Sequence, residues 1–145
     1  MTTRPRRRRV GVIGGSFDPI HLGHLRSAEE VREAADLELV HFVPAANPPH
    51  KPDRRLADGR MRLAMVQLAT ATNPFFRASS LEIDRGGVSY SVDTLAVIAA
   101  TERDAELHFI VGIDAFREMP TWRDVPRIFE LATVVVTSRP PLDAE

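Results

Sequence analysis

Short apolar runs alternate with stretches of three- and four-residue periodicity along most of the chain. The first run, Val10-Gly11-Val12-Ile13, is rich in β-branched residues and closes on Gly14-Gly15, the pattern of a strand buried on both faces. Leu22, Leu25, Ala28, Val31 and Ala35 then recur at helical spacing, predicting a helix over residues 22–35. Leu39 to Val43, stopped by Pro44, predicts a second strand. Together they make a strand–helix–strand unit of about 34 residues, whose crossover is expected to be right-handed. Met61, Leu63, Ala64, Val66, Leu68 and Ala69 predict the next helix, ending near Asn73-Pro74. Phe75 to Ile83 reads as one or two strands and Asp84-Arg85-Gly86-Gly87 as a turn. A helix over Val92 to Ala100 and a strand over Leu107 to Val111, again closing on a glycine, Gly112, come next. A short helix around Ala115, a loop with Pro120 and Trp122, a helix from Val125 to Leu131 and a strand from Thr133 to Thr137 complete the pattern.

Such alternation predicts an α/β fold: an open, mainly parallel, Rossmann-like sheet with helices on both faces. Sheets of this kind bind ligands beyond the carboxyl ends of their strands, so the loops that carry chemistry are expected to come directly after strands. A length of 145 residues fits one domain, read as residues 10–145 behind a basic tail at 1–9. The chain has no cysteine, which excludes thiolate catalysis, disulfides and Cys-ligated metals. It has no run of ~20 apolar residues to span a membrane.

Charge changes the picture at one end. Arg4, Arg6, Arg7, Arg8 and Arg9 are five of the 19 basic residues, and the rest of the chain carries 14 basic against 20 acidic side chains. A body of that sign repels a phosphate backbone, so no nucleic-acid partner is expected and the arginines read as a solvated tail. With no apolar segment behind them, the chain is expected to be cytoplasmic.

The candidate chemistry begins in the loop Gly14-Gly15-Ser16-Phe17-Asp18-Pro19-Ile20-His21-Leu22-Gly23-His24. It matches neither the dinucleotide fingerprint nor the phosphate loop of NTP hydrolases. The glycine pair lets backbone approach a phosphate, and Ser16 adds a hydroxyl. His21 and His24 share one face where the helix begins, and donors there add to the positive end of its dipole. They could stabilise charge developing on phosphate oxygens. Capping or packing explains the same two histidines, and a metal pair is a third reading, weaker because no nearby Asp or Glu completes a ligand set. Elsewhere Asp93 or Ser91 reads as a helix cap.

Taken whole, G-G-S-F-D-P-I-H-x-G-H resembles the signature of the nucleotidylyltransferase superfamily, in particular its bacterial nicotinate mononucleotide adenylyltransferases. Three further segments are similar in order: Pro44 to Lys51, Ser89-Tyr90-Ser91-Val92-Asp93-Thr94-Leu95 (with Ser91 where Thr is usual), and Gly112-Ile113-Asp114 with Trp122 downstream. The resemblance implies direct transfer of the adenylyl group of ATP, with Mg²⁺, to nicotinate mononucleotide in NAD biosynthesis, without a covalent enzyme intermediate. It implies a catalytic set of His21, His24 and Ser16. The ATP phosphates would meet Gly14, Gly15, Ser16, Phe17, Gly23 and the two histidines, with Lys51 and Arg139, while Gly112 would leave room for the adenosine and Asp114 would accept from its ribose hydroxyls. The mononucleotide would meet Gly15, Phe17, His50, Lys51, Tyr90, Asp93, Thr94 and Trp122, the indole serving as a platform for the pyridine ring. Transfer to nicotinamide mononucleotide or phosphopantetheine, or non-catalytic binding of a mononucleotide, are the competing readings, and a homo-oligomer is compatible with all of them. The family continues into an I-S-x-T-x-I-R-like motif that this sequence does not reach, so the chain reads either as a C-terminally truncated piece or as a naturally short form, and weakened ATP binding with low or no turnover is expected of it.

Overall fold

The computed structural model describes residues 7–47 and 56–138. Five parallel strands, β1 (Arg8–Gly15), β2 (Leu39–Pro44), β3 (Phe76–Ala78), β4 (Ala105–Gly112) and β5 (Ala132–Thr137), form one sheet in the order β3-β2-β1-β4-β5. The helices are α1 (Leu22–Ala35), α2 (Gly59–Thr70), α3 (Leu81–Arg85), α4 (Ser91–Thr101), α5 (Ile113–Glu118) and α6 (Val125–Leu131). A turn of 3₁₀ helix at Met119–Thr121 joins the last two.

Alternation along β1 sends its side chains into two cores. Val10 and Val12 pack with Val92, Leu95, Ile98 and Ile128, so α4 and α6 cover that face. Ile13 packs with Ala28, Val31 and Val66, so α1 and α2 cover the other. Gly11 fits α1's side because a Cβ there would stand 2.8 Å from Leu37 Cδ1. Burial on both faces is why the central strands read as continuous apolar runs.

Two expectations need correction. The tail expected at 1–9 gives way to strand at Arg8, where Arg8 and Arg9 pair with Ala105 and Glu106 of β4. Their charges are met by acids of the body: Arg8 contacts Glu38 at 2.8 Å and Glu102 at 3.6 Å, and Arg9 contacts Glu106 at 3.4 Å. The strands expected across Phe75 to Ile83 shrink to three residues. β3 pairs with β2 only from Val40 to Phe42, and the chain turns at Ser79-Ser80 into α3, which uses Leu81 and buried Glu82 against the protein.

The chain builds outward from β1 to β3, then returns to place β4 on β1's other side. That reversal opens a crevice at the carboxyl ends of β1 and β4. Among the described residues, no helix is long and apolar enough to cross a membrane.

Candidate active site

A cleft of about 1190 Å³ occupies this crevice, large for one small ligand and ample for two. Its floor comes from strand ends, Gly14-Gly15 of β1 and Gly112 of β4. Its walls come from the β1–α1 loop, the start of α4, and the segment from Asp114 to Arg123. Gly112 has open space where a Cβ would stand, so a ligand can lie against the strand end.

The β1–α1 loop is tightly specified. Phe17 takes φ 49°, a left-handed conformation that strains a bulky residue, at a cost of order 1–3 kcal/mol. Burial to 2% exposure offsets it: the ring meets His24 edge-on at 4.9 Å and Phe42 at 6.1 Å. His21 is the N-cap of α1, and the two histidines form a reciprocal capping box. His21 Nδ1 accepts from the Gly23 N–H at 3.1 Å, while the His21 N–H donates to His24 Nδ1 at 3.1 Å. The rings stack with centroids 3.8 Å apart. Gly23 makes this possible, since a Cβ there would stand 2.9 Å from His21 Cε1.

Capping therefore uses Nδ1 of both rings. With each Nδ1 accepting, each ring proton belongs on Nε2, leaving two N–H donors at the cleft that both residues line. Burial, reinforced by the neighbouring His21, pushes His24 down to about 4. At neutral pH it is an uncharged donor, able to gain a proton if an anion arrives. Among the described residues no group of three His, Cys, Asp or Glu could hold a metal ion.

The opposite wall is less as expected. Tyr90, Trp122 and Asp114 line the cleft, with the indole 6.3 Å from the Phe109 ring. Thr94 and Asp93 do not line it. Thr94 is 3% exposed, and its hydroxyl donates to Glu82 Oε2 at 2.5 Å and accepts from Arg85 Nη2 at 3.1 Å. Asp93 is exposed. Neither Ser91 nor Asp93 caps α4, whose N-cap is Tyr90 with no side-chain cap bond. The Asp93 N–H bonds the Tyr90 carbonyl at 3.1 Å, and among the described residues no side chain caps the Ser91 and Val92 amides, which begin the helix beside the cleft wall formed by Tyr90 and Ser91. His50, Lys51 and Arg139 lie outside the described residues.

Three residues of the site escape the sequence reading. Glu82 lines the cleft; burial pushes its carboxyl up, against hydrogen bonds from Thr94 and Ser89 and the charge of Arg85. Arg123 lies over the Tyr90 ring at 4.5 Å. Arg62, on α2, is buried beneath the β1–α1 loop. Its position on the stripe shared with Val66 and Thr70 is a signal the sequence does carry: an arginine at helical spacing among core residues needs an internal partner.

Comparison with known proteins agrees with this architecture. A relative from Trichlorobacter lovleyi, described as a "probable nicotinate-nucleotide adenylyltransferase", is 51% identical over 132 residues, which are 91% of this chain and 62% of its own length. The chain thus spans less than two thirds of that relative. A solved chain from Vibrio parahaemolyticus superposes with TM-score 0.77 at 20% identity, covering 92% of this chain and 76% of the other. Plasmodium falciparum nicotinic acid mononucleotide adenylyltransferase, complexed with NaAD, superposes with TM-score 0.73 at 14% identity over 94% of this chain and 77% of its own. Those two likenesses speak for the fold. The model of the Cytidylyltransferase-like family matches residues 12–145, taking in the glycine pair, the stacked histidines and the whole cleft; the chain belongs to that family.

Proposed function

We propose that this cleft transfers the adenylyl group of ATP to nicotinate mononucleotide, giving nicotinate adenine dinucleotide and pyrophosphate for NAD biosynthesis. The observation that carries the reading is the stacked pair His21 and His24, both lining one cleft with Tyr90 and Trp122. A donor array for phosphates and an aromatic wall for a flat ring share a single space.

A phosphate oxygen of the mononucleotide attacks the α-phosphorus of ATP in line. As that bond forms, the bond from the α-phosphorus to the bridging oxygen breaks and pyrophosphate leaves. The two Nε2–H donors and the open amides of the loop stabilise charge gathering on the phosphate oxygens, the kind of fixed electrostatic support that lowers such barriers. Ser16 adds its hydroxyl, and Asp114 offers a carboxylate to the ATP ribose. The indole of Trp122 takes the pyridine ring by stacking, and the uncapped start of α4 offers amides to the nicotinate carboxylate. Lys51, His50 and Arg139 remain proposed phosphate and acceptor contacts. ATP would enter as its Mg²⁺ complex, in which the ion would neutralise phosphate charge; among the described residues no group of three His, Cys, Asp or Glu would hold it apart from that substrate.

Pyrophosphate release tests this. With ATP, the chain should release pyrophosphate when nicotinate mononucleotide is added and much less with nicotinamide mononucleotide or phosphopantetheine. Preference for either of the latter would replace the acceptor, and tight mononucleotide binding with no pyrophosphate from any acceptor would make the chain a binding module.

A further inference from the structure

Arg62 has an environment that core packing does not explain. It is 1% exposed, and every hydrogen bond it makes among the described residues goes to a main-chain carbonyl. Nη1 donates to Ser16 at 2.8 Å and to Ala45 at 2.6 Å, Nε to Ala57 at 2.8 Å and Nη2 to Ala46 at 3.3 Å. A buried cation is costly, and an apolar residue of similar size commonly serves stability as well or better. What a guanidinium offers and a leucine cannot is a rigid fork of donors that fixes several carbonyls at once.

Three of those carbonyls, of Ser16, Ala45 and Ala46, belong to loops that edge the cleft. Ser16 lies in the β1–α1 loop, and Ala45 and Ala46 come after β2. The Ala45 N–H also donates to Gly15 O at 2.8 Å, so the two loops are tied from both sides. The Ser16 peptide is the informative one. In a trans peptide the C=O and the following N–H point in opposite directions. With the Ser16 carbonyl drawn down onto Arg62, the Phe17 N–H must point away from it, on the side where Ser16 and Phe17 line the cleft. Among the described residues, that N–H donates to no protein acceptor.

We propose that Arg62 is the positioning residue of the anion site. Held from beneath by its fork, the Ser16–Phe17 peptide presents its N–H to a phosphate-class anion, and the β1 and β2 loops keep the spacing that the anion needs. This rests on the phosphate reading of the loop but not on which acceptor the cleft takes.

Inorganic pyrophosphate, added to the 145-residue chain, is the probe. In the native chain it should slow hydrogen exchange of the Phe17 amide. R62K keeps the charge but not the planar fork; its pyrophosphate affinity by calorimetry should fall at least tenfold, while binding of nicotinate riboside, which has no phosphate, read by Trp122 fluorescence, should stay within twofold. T70V is the control, since Thr70 is buried on the same helix and its hydroxyl donates to the Val66 and Gln67 carbonyls. It should lower the melting temperature and leave pyrophosphate affinity unchanged. R62K binding pyrophosphate like the native chain, or losing it only in proportion to melting temperature as T70V does, would overturn the proposal. If R62K does not fold, the native exchange decides: a Phe17 amide indifferent to pyrophosphate overturns the proposal, and a protected one supports it. Pyrophosphate binding together with turnover of a different acceptor would replace nicotinate mononucleotide while leaving Arg62's role intact.

Discussion

In the proposed reaction His21 and His24 would each serve twice, once through Nδ1 to close the start of α1 and once through Nε2 toward the cleft that both residues line. Substitution can separate the two duties, because asparagine is a good N-cap and a poor mimic of an imidazole reaching a phosphate. His21→Ala should cost about 0.5–2 kcal/mol of stability as a lost cap, whereas His21→Asn should melt near the native temperature. Both should lose turnover alike. Parallel melting and activity measurements check this, and an active His21→Asn would reduce His21 to a cap. The glycine between the histidines belongs to the same device, since it leaves room for the His21 ring. Of this residue-scale detail, the sequence carries the motif and its spacing. It does not carry the reciprocal bonds, because a histidine is a rare cap and its two nitrogens are equivalent until a structure orients them.

Among the elements, α3 and α4 are tied through a buried polar cluster: Glu82 on α3, Thr94 on α4, and Ser89 between them, which also accepts from the Ala46 N–H at 3.1 Å. Burial raises the Glu82 carboxyl above its ordinary value, so by linkage its contribution is fully present below about 4.5 and is lost as pH rises through the folded value. The Thr94 hydroxyl opposes that loss by favouring the ionised form. Thr94→Val should therefore destabilise the chain by about 1–3 kcal/mol near neutral pH and by less near pH ~4.5, with Thr94→Ser close to native. Denaturation at the two pH values measures it; an equal penalty at both would show that Glu82 is not what Thr94 serves. This cluster also explains a weak point of the sequence reading. Periodicity marks α1 and α6 well, since apolar residues at helical spacing face a core. Five-residue α3 is too short to show a period, and its alternating Leu81 and Ile83 imitate a strand. Thr94 matches a motif, but spacing along one chain cannot reveal that its partner is a carboxylate twelve positions earlier.

For the molecule as a whole, a strand order that reverses between β1 and β4 places loops from distant parts of the chain around one crevice. This was legible because buried parallel strands announce themselves as apolar runs, and because the order of runs and helices leaves few topologies open. Arg8 and Arg9 were misplaced for the opposite reason: a strand end that pairs its charges with Glu38, Glu102 and Glu106 has no apolar signature. An acidic body can still receive a triphosphate where amides, a helix start and two imidazoles converge.

That convergence is the central claim, and the His24 ring reports on it directly. Its titration, tracked by imidazole NMR with and without pyrophosphate, is the decisive measurement. The ring should titrate at about 4 in the free chain, and should shift upward when the anion docks against Nε2. A His24 titration that pyrophosphate leaves unmoved, at concentrations where calorimetry shows it bound, would contradict the account.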